Sequence, residues 1–266
     1  RLPLTYTILT YAADPEQLSD NKPETVLRAS EQGGEEFYPF AFNLDYSPQM
    51  AERCAIDYVD AAQGTCNFEC DSFYAQLALL RRQKAALDTL PENLDVADIR
   101  NGLLYYYVIL SADSIVYQPG RYGYPELKQS VYYAYPSDQD GGCQLEFGSL
   151  LSINSQSEQK AGAWAFLSYL LSDACQQSVN YLPVSDAALQ EQFKQLLTEE
   201  TVTQADINTF YTLVDHAQKL DYPTEPIEQI IEEEMAAYLD GAIDEKTTAE
   251  RIQSRASLYL MEQKVQ

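Results

Sequence analysis

The stretch KAGAWAFLSYLLS, residues 160–172, does most to decide the fold, because its apolar side chains recur at the period of an α-helix. They form two adjacent stripes: Ala161, Trp164, Leu167 and Leu171 on one, and Ala163, Phe166 and Leu170 on the other. Upstream, Ser155 and Glu158 have the spacing of a capping box, which predicts where the helix starts. A helix that is apolar over so much of its surface is predicted to be largely buried, with Trp164 in the core.

The segments before this helix have the pattern of strands. Residues 103–110 (LLYYYVIL) are apolar or aromatic on both alternating faces, as in a strand at the middle of a sheet. Residues 4–11, 131–135 and 145–153 predict three more strands, and the turn-forming residues 136–142 separate the last two. From residue 154 onward the pattern becomes helical.

Further helices are predicted from the spacing of apolar residues. The clearest one carries Phe73, Leu77, Leu80 and Leu87 on one side. Asp71 or Ser72 would cap its first turn. Three more helices are expected to begin at Thr203, just after Thr224 and near Asp244, and shorter helical segments are expected at residues 49–55 and 96–100.

Two clusters in the sequence suggest metal ligands and are better explained otherwise. The run 232–234 consists of three glutamates, but consecutive helical positions lie about 100° apart and cannot converge on one ion, so a solvated face is expected. Cys66 and Cys70 would need two further ligands for zinc, and the one histidine, His216, is far away in sequence. We therefore expect no metal and no cofactor. The five cysteines are expected to be small buried thiols, with one disulfide allowed in an oxidising compartment: Cys54, Cys66, Cys70, Cys143 and Cys175.

The charge balance excludes several classes of partner. With 17 Lys and Arg against 41 Asp and Glu, the formal net charge is −24, which repels phosphate backbones and anionic lipids. No apolar run approaches the ~18 residues of a membrane span. The start of the sequence also lacks the charged and apolar regions of a signal peptide. We expect a monomer with an acidic surface and no nucleic-acid partner.

The usual catalytic motifs are missing, namely G-x-x-x-x-G-K, G-x-S-x-G and H-E-x-x-H. His216 is the single imidazole and is expected to be exposed or to cap a helix. Two carboxylates about 5 to 9.5 Å apart can hydrolyse a glycoside without histidine. Asp57 and Asp60 are such a candidate pair, although they are expected on a surface connection. A carbohydrate-active hydrolase therefore stays an alternative, and the chain is expected not to be an enzyme.

Aromatic residues are abundant: 21 Tyr, 9 Phe and one Trp. Aromatic rings stack on the apolar faces of sugars, and phenolic hydroxyls bond to sugar hydroxyls, so tyrosine-rich surfaces suit carbohydrate ligands. Tyrosine is also a good strand former, and for any single tyrosine packing is the more frequent role.

Six phrases in order resemble the extracellular solute-binding proteins of ABC importers, the family that includes maltose-binding protein. The most specific is the run 160–172 together with LSINS at 151–155. The others are CNFECDSFY at 66–74, NGLLY at 101–105, YPS at 135–137 before Gly141-Gly142, LPV at 182–184, and the C-terminal part from Ile230 with IQSR at 252–255. A lysine that is usual after the glycine of NGLLY is absent. The resemblance covers most of residues 66–263, and residues 2–44 match weakly.

The resemblance implies an α/β, periplasmic-binding-protein-like (type II) two-lobe fold, with ligand between the lobes and hinge strands that permit closure. Family members carry most of their first lobe before the point that corresponds to Arg1. We therefore expect mainly the second lobe plus the later helical part of the first, cut from a longer protein. The expected division is 1–135 for the second-lobe α/β segment, 136–220 for the hinge return and first-lobe helices, and 221–266 for C-terminal helices that pack back on the second lobe.

The resemblance also implies the function. The chain is expected to bind a sugar or oligosaccharide for import without catalysis and to deliver it to ABC permease subunits, as a cell-surface lipoprotein or a periplasmic protein. Any contact with the membrane would be through a lipid anchor that this chain lacks. Tyr105, Tyr106, Tyr107 and Tyr135 are the expected ligand-binding aromatics, although strand alternation turns Tyr106 away from its two neighbours. A non-transport adaptor, which docks another protein through its helical half, is a further alternative.

Overall fold

The computed structural model describes residues 3–13, 18–33, 38–41, 47–89, 102–115, 131–133, 136–137, 144–215, 217 and 225–263. The chain divides into two compact units. Unit 1 comprises Arg1–Thr10, Tyr107–Tyr122 and Gly142–Gln218, and unit 2 comprises Tyr11–Tyr106, Gly123–Gly141 and Lys219–Gln266. Each unit is therefore assembled from three separate stretches of sequence.

Strands and helices alternate in the first half of the chain, and helices dominate the second half. The strands are β1 (Thr5–Ala13), β2 (Tyr38–Ala41), β3 (Val59–Asp60), β4 (Thr65–Cys66), β5 (Gly102–Ile109), β6 (Val131–Tyr133), β7 (Gln144–Gly148) and β8 (Leu182–Pro183). The helices are α1 (Pro23–Gln32), α2 (Ser47–Asp57), α3 (Asp71–Asp88), α4 (Lys160–Leu170), α5 (Asp173–Gln176), α6 (Asp186–Thr198), α7 (Gln204–Asp215), α8 (Glu225–Leu239) and α9 (Glu245–Gln263), with a 3-10 helix at Ala112–Ile115.

Unit 2 contains a sheet in the order β2-β5-β1-β6 and a helical layer. β2 and β5 are parallel, with Phe40 opposite Leu104 and Ala41 opposite Tyr105, whereas β6 is antiparallel to β1. Helix α8 packs on α2 and α9, and α1 packs on α3. These helices bury one continuous core, which extends from Leu18 to Leu260. Burial of this apolar surface is the main stabilising contribution to the unit.

Three aromatic rings organise the middle of this core. Tyr58, Phe68 and Phe73 lie with ring centroids 5.2 to 5.7 Å apart in tilted and edge-on arrangements. Such pairs add to the stabilisation from burial. The Tyr58 hydroxyl lies 2.8 Å from the Ser72 hydroxyl, which satisfies both polar groups inside the core.

Unit 1 is built around the N-terminal part of β1. β7 runs antiparallel to it, with Tyr6 opposite Phe147, and β8 pairs with its first residues, with Tyr6 opposite Leu182. Helices α6 and α7 pack on the 3-10 helix Ala112–Ile115. Phe193 and Phe210 stack edge-on at 5.1 Å in this small core. Among the described residues, no helix is both long and apolar enough to cross a bilayer.

Several predicted elements are confirmed, with corrections at their ends. The helix with Phe73 is α3, but the residue at its N-cap is Cys70, which makes no side-chain capping bond. The predicted capping box before α4 is wrong, because α4 begins at Lys160 and follows Gln159, which also makes no side-chain cap. β7 ends at Gly148, well before residue 153. The expected helical segment at 96–100 lies outside the described residues.

The burial predicted for α4 is wrong. Leu167 is its one fully buried residue, whereas Trp164, Phe166 and Tyr169 are 56%, 60% and 61% exposed. Trp164 is therefore a surface residue and not part of the core. Periodicity identifies the apolar positions of a helix, but it does not show whether another element covers them.

The three glutamates at residues 232–234 on α8 are predicted to be solvated, and one of them is not. Glu234 is buried and accepts a hydrogen bond from Arg255 at 2.8 Å, and it pairs with Arg251 at 3.4 Å. Glu233 pairs with Arg255 at 2.6 Å, while Glu232 is exposed. Two of the three glutamates thus tie α8 to α9.

Candidate functional site

The ligand-binding tyrosines predicted from the sequence fall only partly on the described structure. Tyr105, Tyr106 and Tyr107 have their backbone in β5, but their side chains lie outside the described part of the chain. Tyr135 and His216 also lie outside the described residues. The role of the four tyrosines stays a prediction.

A polar pocket of about 400 Å³ lies in unit 1, just beyond the strand that carries these tyrosines. We call it the Tyr181 pocket. It is lined by Ser111, Ala112, Asp113, Val179, Asn180, Tyr181, Gln192, Gln195 and Leu196. Three segments supply these residues: the turn after β5, the segment before β8, and helix α6.

The turn after β5 supplies the first wall of the Tyr181 pocket. The Ser111 hydroxyl donates to Asp113 Oδ1 at 2.5 Å and lies 2.6 Å from the Ser114 hydroxyl. The Ser114 N–H donates to the Ser111 carbonyl at 3.0 Å, which closes the first turn of the 3-10 helix. Ala112 and Ile115 are buried beneath it. Local hydrogen bonds and burial therefore hold the polar groups of this wall in place.

The second wall is fixed by backbone pairing. The Leu182 N–H donates to the Leu110 carbonyl at 2.9 Å, so Asn180 and Tyr181 lie next to the end of β5. Gln192 on α6 donates to the Val179 carbonyl at 3.4 Å. Tyr181 itself is 52% exposed. A tyrosine ring is thus presented on a rigid frame with much of its surface accessible to a solute.

The lining has the composition of a site for hydroxylated solutes. Amide side chains both donate and accept hydrogen bonds, and a carboxylate accepts strongly from hydroxyl groups. Asn180, Gln192 and Gln195 supply the amides and Asp113 supplies the carboxylate. The Tyr181 ring adds an apolar face on which a sugar ring can stack. Histidine, cysteine and lysine are absent from the described residues of the lining.

Helix α6 is held against the rest of unit 1 by polar contacts at its start. The Ser185 hydroxyl caps α6 by accepting from the Ala188 N–H at 3.2 Å, and it donates to Asp173 at 2.5 Å.

Burial and the nearby Tyr211 and Asp186 raise the pKa of Tyr6 well above its usual range. Burial and Asp186 also raise the pKa of Tyr211. Both phenols therefore stay neutral at physiological pH and can act as hydrogen-bond donors.

A second depression, of about 570 Å³, lies in unit 2 between the end of α3 and the turn from α8 to α9. Its charged groups already interact with one another. The Arg81 guanidinium lies over the Tyr238 ring at 3.9 Å, and Lys84 pairs with Asp88 at 2.8 Å. Gly241 turns the chain there with a φ of 73°. These contacts stabilise a helix–helix connection, and the Tyr181 pocket is the better candidate for a solute.

The candidate hydrolytic pair Asp57 and Asp60 does not form an acid–base pair. Asp57 is not on a surface connection, because its side chain is only 2% exposed and forms a two-fold contact with the Arg53 guanidinium at 3.0 Å on each oxygen. Asp60 is exposed and accepts from the Gln63 N–H at 2.9 Å. The first carboxylate is thus held by a buried cation, and the second lies in a turn.

Of the described cysteines, Cys54 is buried, whereas Cys66, Cys70 and Cys175 are only partly buried. Cys54, Cys66 and Cys175 are free thiols, and among the residues that the structure describes no three His, Cys, Asp or Glu side chains form a group that could hold a metal ion. Burial raises the pKa of the Cys54 thiol well above its usual range. Cys54 is therefore a packed, protonated core residue.

No residue of the Tyr181 pocket was predicted from the sequence as a ligand contact. Two signals were present: Asn180 and Tyr181 directly precede the Leu182-Pro183-Val184 phrase, and the Ser111 to Ser114 turn directly follows the tyrosine-rich strand. Polar residues at the ends of strands are frequent at binding sites. What could not be read from the sequence is the pairing of residue 182 with residue 110, which brings the two segments together.

Comparisons with known proteins agree with this architecture. No family model and no curated protein matches the sequence. Among solved structures, an extracellular solute-binding protein of family 1 from Alicyclobacillus acidocaldarius aligns over 97% of this chain and 71% of its own, with a TM-score of 0.55 and 15% identity. The sugar-binding protein MalE from Xanthomonas citri aligns over 98% and 70%, with a TM-score of 0.59 and 14% identity. UgpB from Mycobacterium tuberculosis, solved with glycerophosphocholine, aligns over 100% and 71%, with a TM-score of 0.60 and 12% identity.

These alignments confirm the fold that the sequence phrases imply. They cover nearly the whole chain, although identity is so low that the likeness extends to the fold alone. The division of the chain into two compact units fits that fold. The chain has the α/β fold of the type II periplasmic-binding proteins, as found in extracellular solute-binding proteins, and represents part of the two-lobe architecture.

Proposed function

We propose that the chain is part of the solute-binding component of an ABC importer and that it binds a carbohydrate, in the form of a sugar or oligosaccharide, without catalysis. The observation that carries the proposal is the Tyr181 pocket, which combines an accessible aromatic ring with amides and a carboxylate in a fold shared with sugar-binding proteins. Hydroxyl-rich solutes need this pairing of stacking and hydrogen bonding.

The remaining parts of the proposal follow from the same role. Permease subunits are the proposed protein partners, and the proposed location is outside the cytoplasm, at the cell surface as a lipoprotein or in the periplasm. We propose Tyr105, Tyr106, Tyr107 and Tyr135 as additional ligand contacts. Substitution of each by alanine in turn is expected to weaken binding for those that contact the solute, as measured by calorimetric titration.

A thermal-shift panel tests the proposal directly. A solute that binds only the folded state at 100 times its Kd stabilises the protein by about 2.7 kcal/mol. For a protein of this size that corresponds to a rise in Tm of roughly 5 to 10 °C. We expect such a rise with one or more neutral oligosaccharides, and no rise with peptides or polyamines. A rise with peptides or polyamines alone would contradict the carbohydrate assignment.

Tyr181→Ala is the variant that connects the solute to the pocket. Because Tyr181 is half exposed, its truncation should leave Tm without ligand nearly unchanged while reducing the ligand-induced rise by at least half. Tyr169→Ala is the matched control, since Tyr169 is similarly exposed and lies on α4, away from the pocket lining. Equal loss of the ligand-induced shift in both variants would place the solute elsewhere.

Of the two alternative functions, the adaptor has one observation in its favour. The apolar face of α4 is exposed, as a protein-docking surface would be. The hydrolase has no such observation in its favour, because the Asp57 carboxylate of its candidate acid pair is held in an ion pair with Arg53. Product analysis after incubation with oligosaccharides checks the hydrolase, and turnover that one carboxylate substitution abolishes would replace the binding-protein proposal.

A further inference from the structure

The Tyr181 pocket carries a negative charge in its wall. Among its described lining residues, Asp113 is the only one with a charged side chain. The Ser111 hydroxyl donates to Asp113 Oδ1 at 2.5 Å, which fixes the carboxylate and uses the proton of the hydroxyl. A carboxylate accepts from an ammonium group about twice as strongly as neutral groups bond to one another. This wall therefore interacts more strongly with a positively charged solute group than with a hydroxyl group.

Two glutamines of helix α6 add hydrogen-bond acceptors to the lining. Gln192 Nε2 donates to the Val179 carbonyl at 3.4 Å, and Gln195 Nε2 donates to Glu199 Oε1 at 2.8 Å. Each amide thus uses an N–H group within the protein, whereas no group in the described part of the chain donates to either glutamine Oε1 atom. Together with the Asp113 carboxylate, these oxygens favour a solute group that has several donors and no acceptor, such as an ammonium group.

The position of the pocket on α6 also favours positive charge. The α6 residues of the lining lie in the second half of the helix, which ends at Thr198. The carboxyl end of a helix carries a partial negative charge and attracts cations. Two exposed glutamates, Glu199 and Glu200, follow directly, and the chain as a whole has a net charge of −24. Each of these contributions makes the electrostatic potential at the pocket more negative.

The accessible ring of Tyr181 suits the same kind of solute. About half of this side chain, 52%, is exposed. The face of an aromatic ring attracts an ammonium group that lies within about 6 Å of its centre, and it also stacks on the apolar face of a sugar. One ring can therefore interact with both parts of a sugar that carries an amine. The pocket volume of about 400 Å³ is in the range of small-molecule sites.

Given the proposed function, on which this inference rests, we propose that the Tyr181 pocket selects amino sugars, in which a protonated primary amine replaces a hydroxyl group. Asp113 is the counter-ion of the ammonium group, and the Oε1 atoms of Gln192 and Gln195 accept hydrogen bonds from it. The Tyr181 ring stacks on the sugar ring. A sugar with a hydroxyl group at the same position binds more weakly, because the hydroxyl supplies one donor and no charge.

Calorimetric titration with matched sugars tests the selectivity. Chitobiose and cellobiose share one skeleton and differ in having amine or hydroxyl groups, as do glucosamine and glucose. At about pH 6, where the amines are protonated, we expect the amino sugar of a pair to have a Kd at least about tenfold lower, which is the size of a charge-assisted hydrogen bond. Equal Kd values, a lower Kd for the neutral sugar, or no binding of either amino sugar would overturn the selectivity.

The thermal-shift panel distinguishes a failure of the selectivity from a failure of the proposed function. If a neutral oligosaccharide raises Tm and the amino sugars do not, the selectivity is wrong and the carbohydrate-binding function stands. If no sugar of either kind raises Tm, both are wrong. A rise in Tm with the amino sugars supports both, because a ligand that binds only the folded state stabilises it.

Asp113→Asn tests the role of the counter-ion. Asparagine keeps an oxygen that accepts from Ser111 but removes the charge, so the ratio of the neutral-sugar Kd to the amino-sugar Kd should fall severalfold. Glu158→Gln is the matched control, because it removes one charge from an exposed side chain outside the lining and should leave the ratio unchanged. Equal changes in the two variants, or no change in Asp113→Asn, would overturn the proposal.

A salt titration of the parent protein gives the same distinction if Asp113→Asn does not fold. Interactions between exposed charges are largely screened at about 0.5 M salt, whereas a contact with a partly buried charge is screened much less. Asp113 is partly buried, so the preference for chitobiose over cellobiose should persist in about 0.5 M NaCl. Its disappearance would show that the net charge of −24 attracts the amine, and would overturn the role of the pocket.

Discussion

Buried glutamines connect elements that are distant in sequence. The Gln176 amide is 1% exposed, donates to the Leu4 and Leu170 carbonyls at 3.1 and 3.0 Å, and accepts from the Val184 N–H at 2.9 Å. In unit 2 the Gln83 amide bonds to both the N–H and the carbonyl of Phe40. Glutamine is mostly a surface residue, so nothing in the sequence marks these positions as internal. Their role depends on tertiary structure that local patterns do not encode.

Gln176→Leu should be strongly destabilising. The substitution keeps an apolar stem but leaves the partly buried Leu4 carbonyl and Val184 N–H without their partner, at a cost of about 2–4 kcal/mol. Urea denaturation measures the change. Gln190→Leu is the matched control, because Gln190 is exposed on α6 and its loss should change stability by less than about 0.5 kcal/mol. If both variants unfolded at the same urea concentration, the bracing role of Gln176 would be disproved.

Asp244 introduces a pH dependence at the start of α9. Hydrogen bonds from Thr247, including its N–H at 2.7 Å, lower the pKa of Asp244 below its usual value. A carboxyl with a lower pKa in the folded state stabilises the fold above its unfolded pKa of about 3.9 and loses that contribution as pH falls through the folded pKa. Asp244→Asn keeps a capping oxygen without this titration. The Tm advantage of the parent over the variant should therefore shrink between pH 6 and pH 2, and an advantage that grew on acidification would contradict it.

The sequence pattern predicts well which residues form helices and strands, and it predicts poorly whether another element packs on their apolar faces. The helices α3, α8 and α9 and the strand β5 lie where their apolar spacing predicts, because each has a strong periodic signal. Helix α1 was missed, since only Val26 and Leu27 are apolar in PETVLRASEQ, apart from alanine and proline, and its burial comes from packing on α3. For α4 the predicted helix is correct, but the predicted burial of its apolar residues is wrong. Whether a neighbour covers a face is a property of the whole fold.

The same chemical change should therefore destabilise the protein far less in α4 than in the core of unit 2. Phe68 is fully buried between Tyr58 and Phe73, so Phe68→Ala should cost about 3–5 kcal/mol through lost burial and a cavity. Phe166→Ala removes the same atoms from a side chain that is 60% exposed and should cost less than about 1 kcal/mol in residues 1–266. Chemical denaturation of the two variants measures the difference. Similar costs would show that α4 is covered within this chain.

For the whole molecule, the ordered phrases of the sequence predicted the fold, and the alignments with solved structures confirm it. The expected division at residues 135 and 220 stays a prediction. The Tyr181 pocket could not be predicted, because it depends on a long-range backbone pair between Leu110 and Leu182. Local residue patterns predict local structure, and binding sites formed by distant segments need the topology.

The interleaving of the two units has a kinetic consequence. The core of unit 2 includes Leu18 near the start of the chain and Leu260 near its end, about 240 residues later. A ribosome that adds about 5–20 residues per second needs roughly 12 s or more to make that interval. Until α8 and α9 emerge, the side of α2 that packs on α8 and the side of α3 that packs on α9 have no partner, and contacts so distant in sequence form slowly. The core of unit 2 can therefore be completed only after α9 has been synthesised.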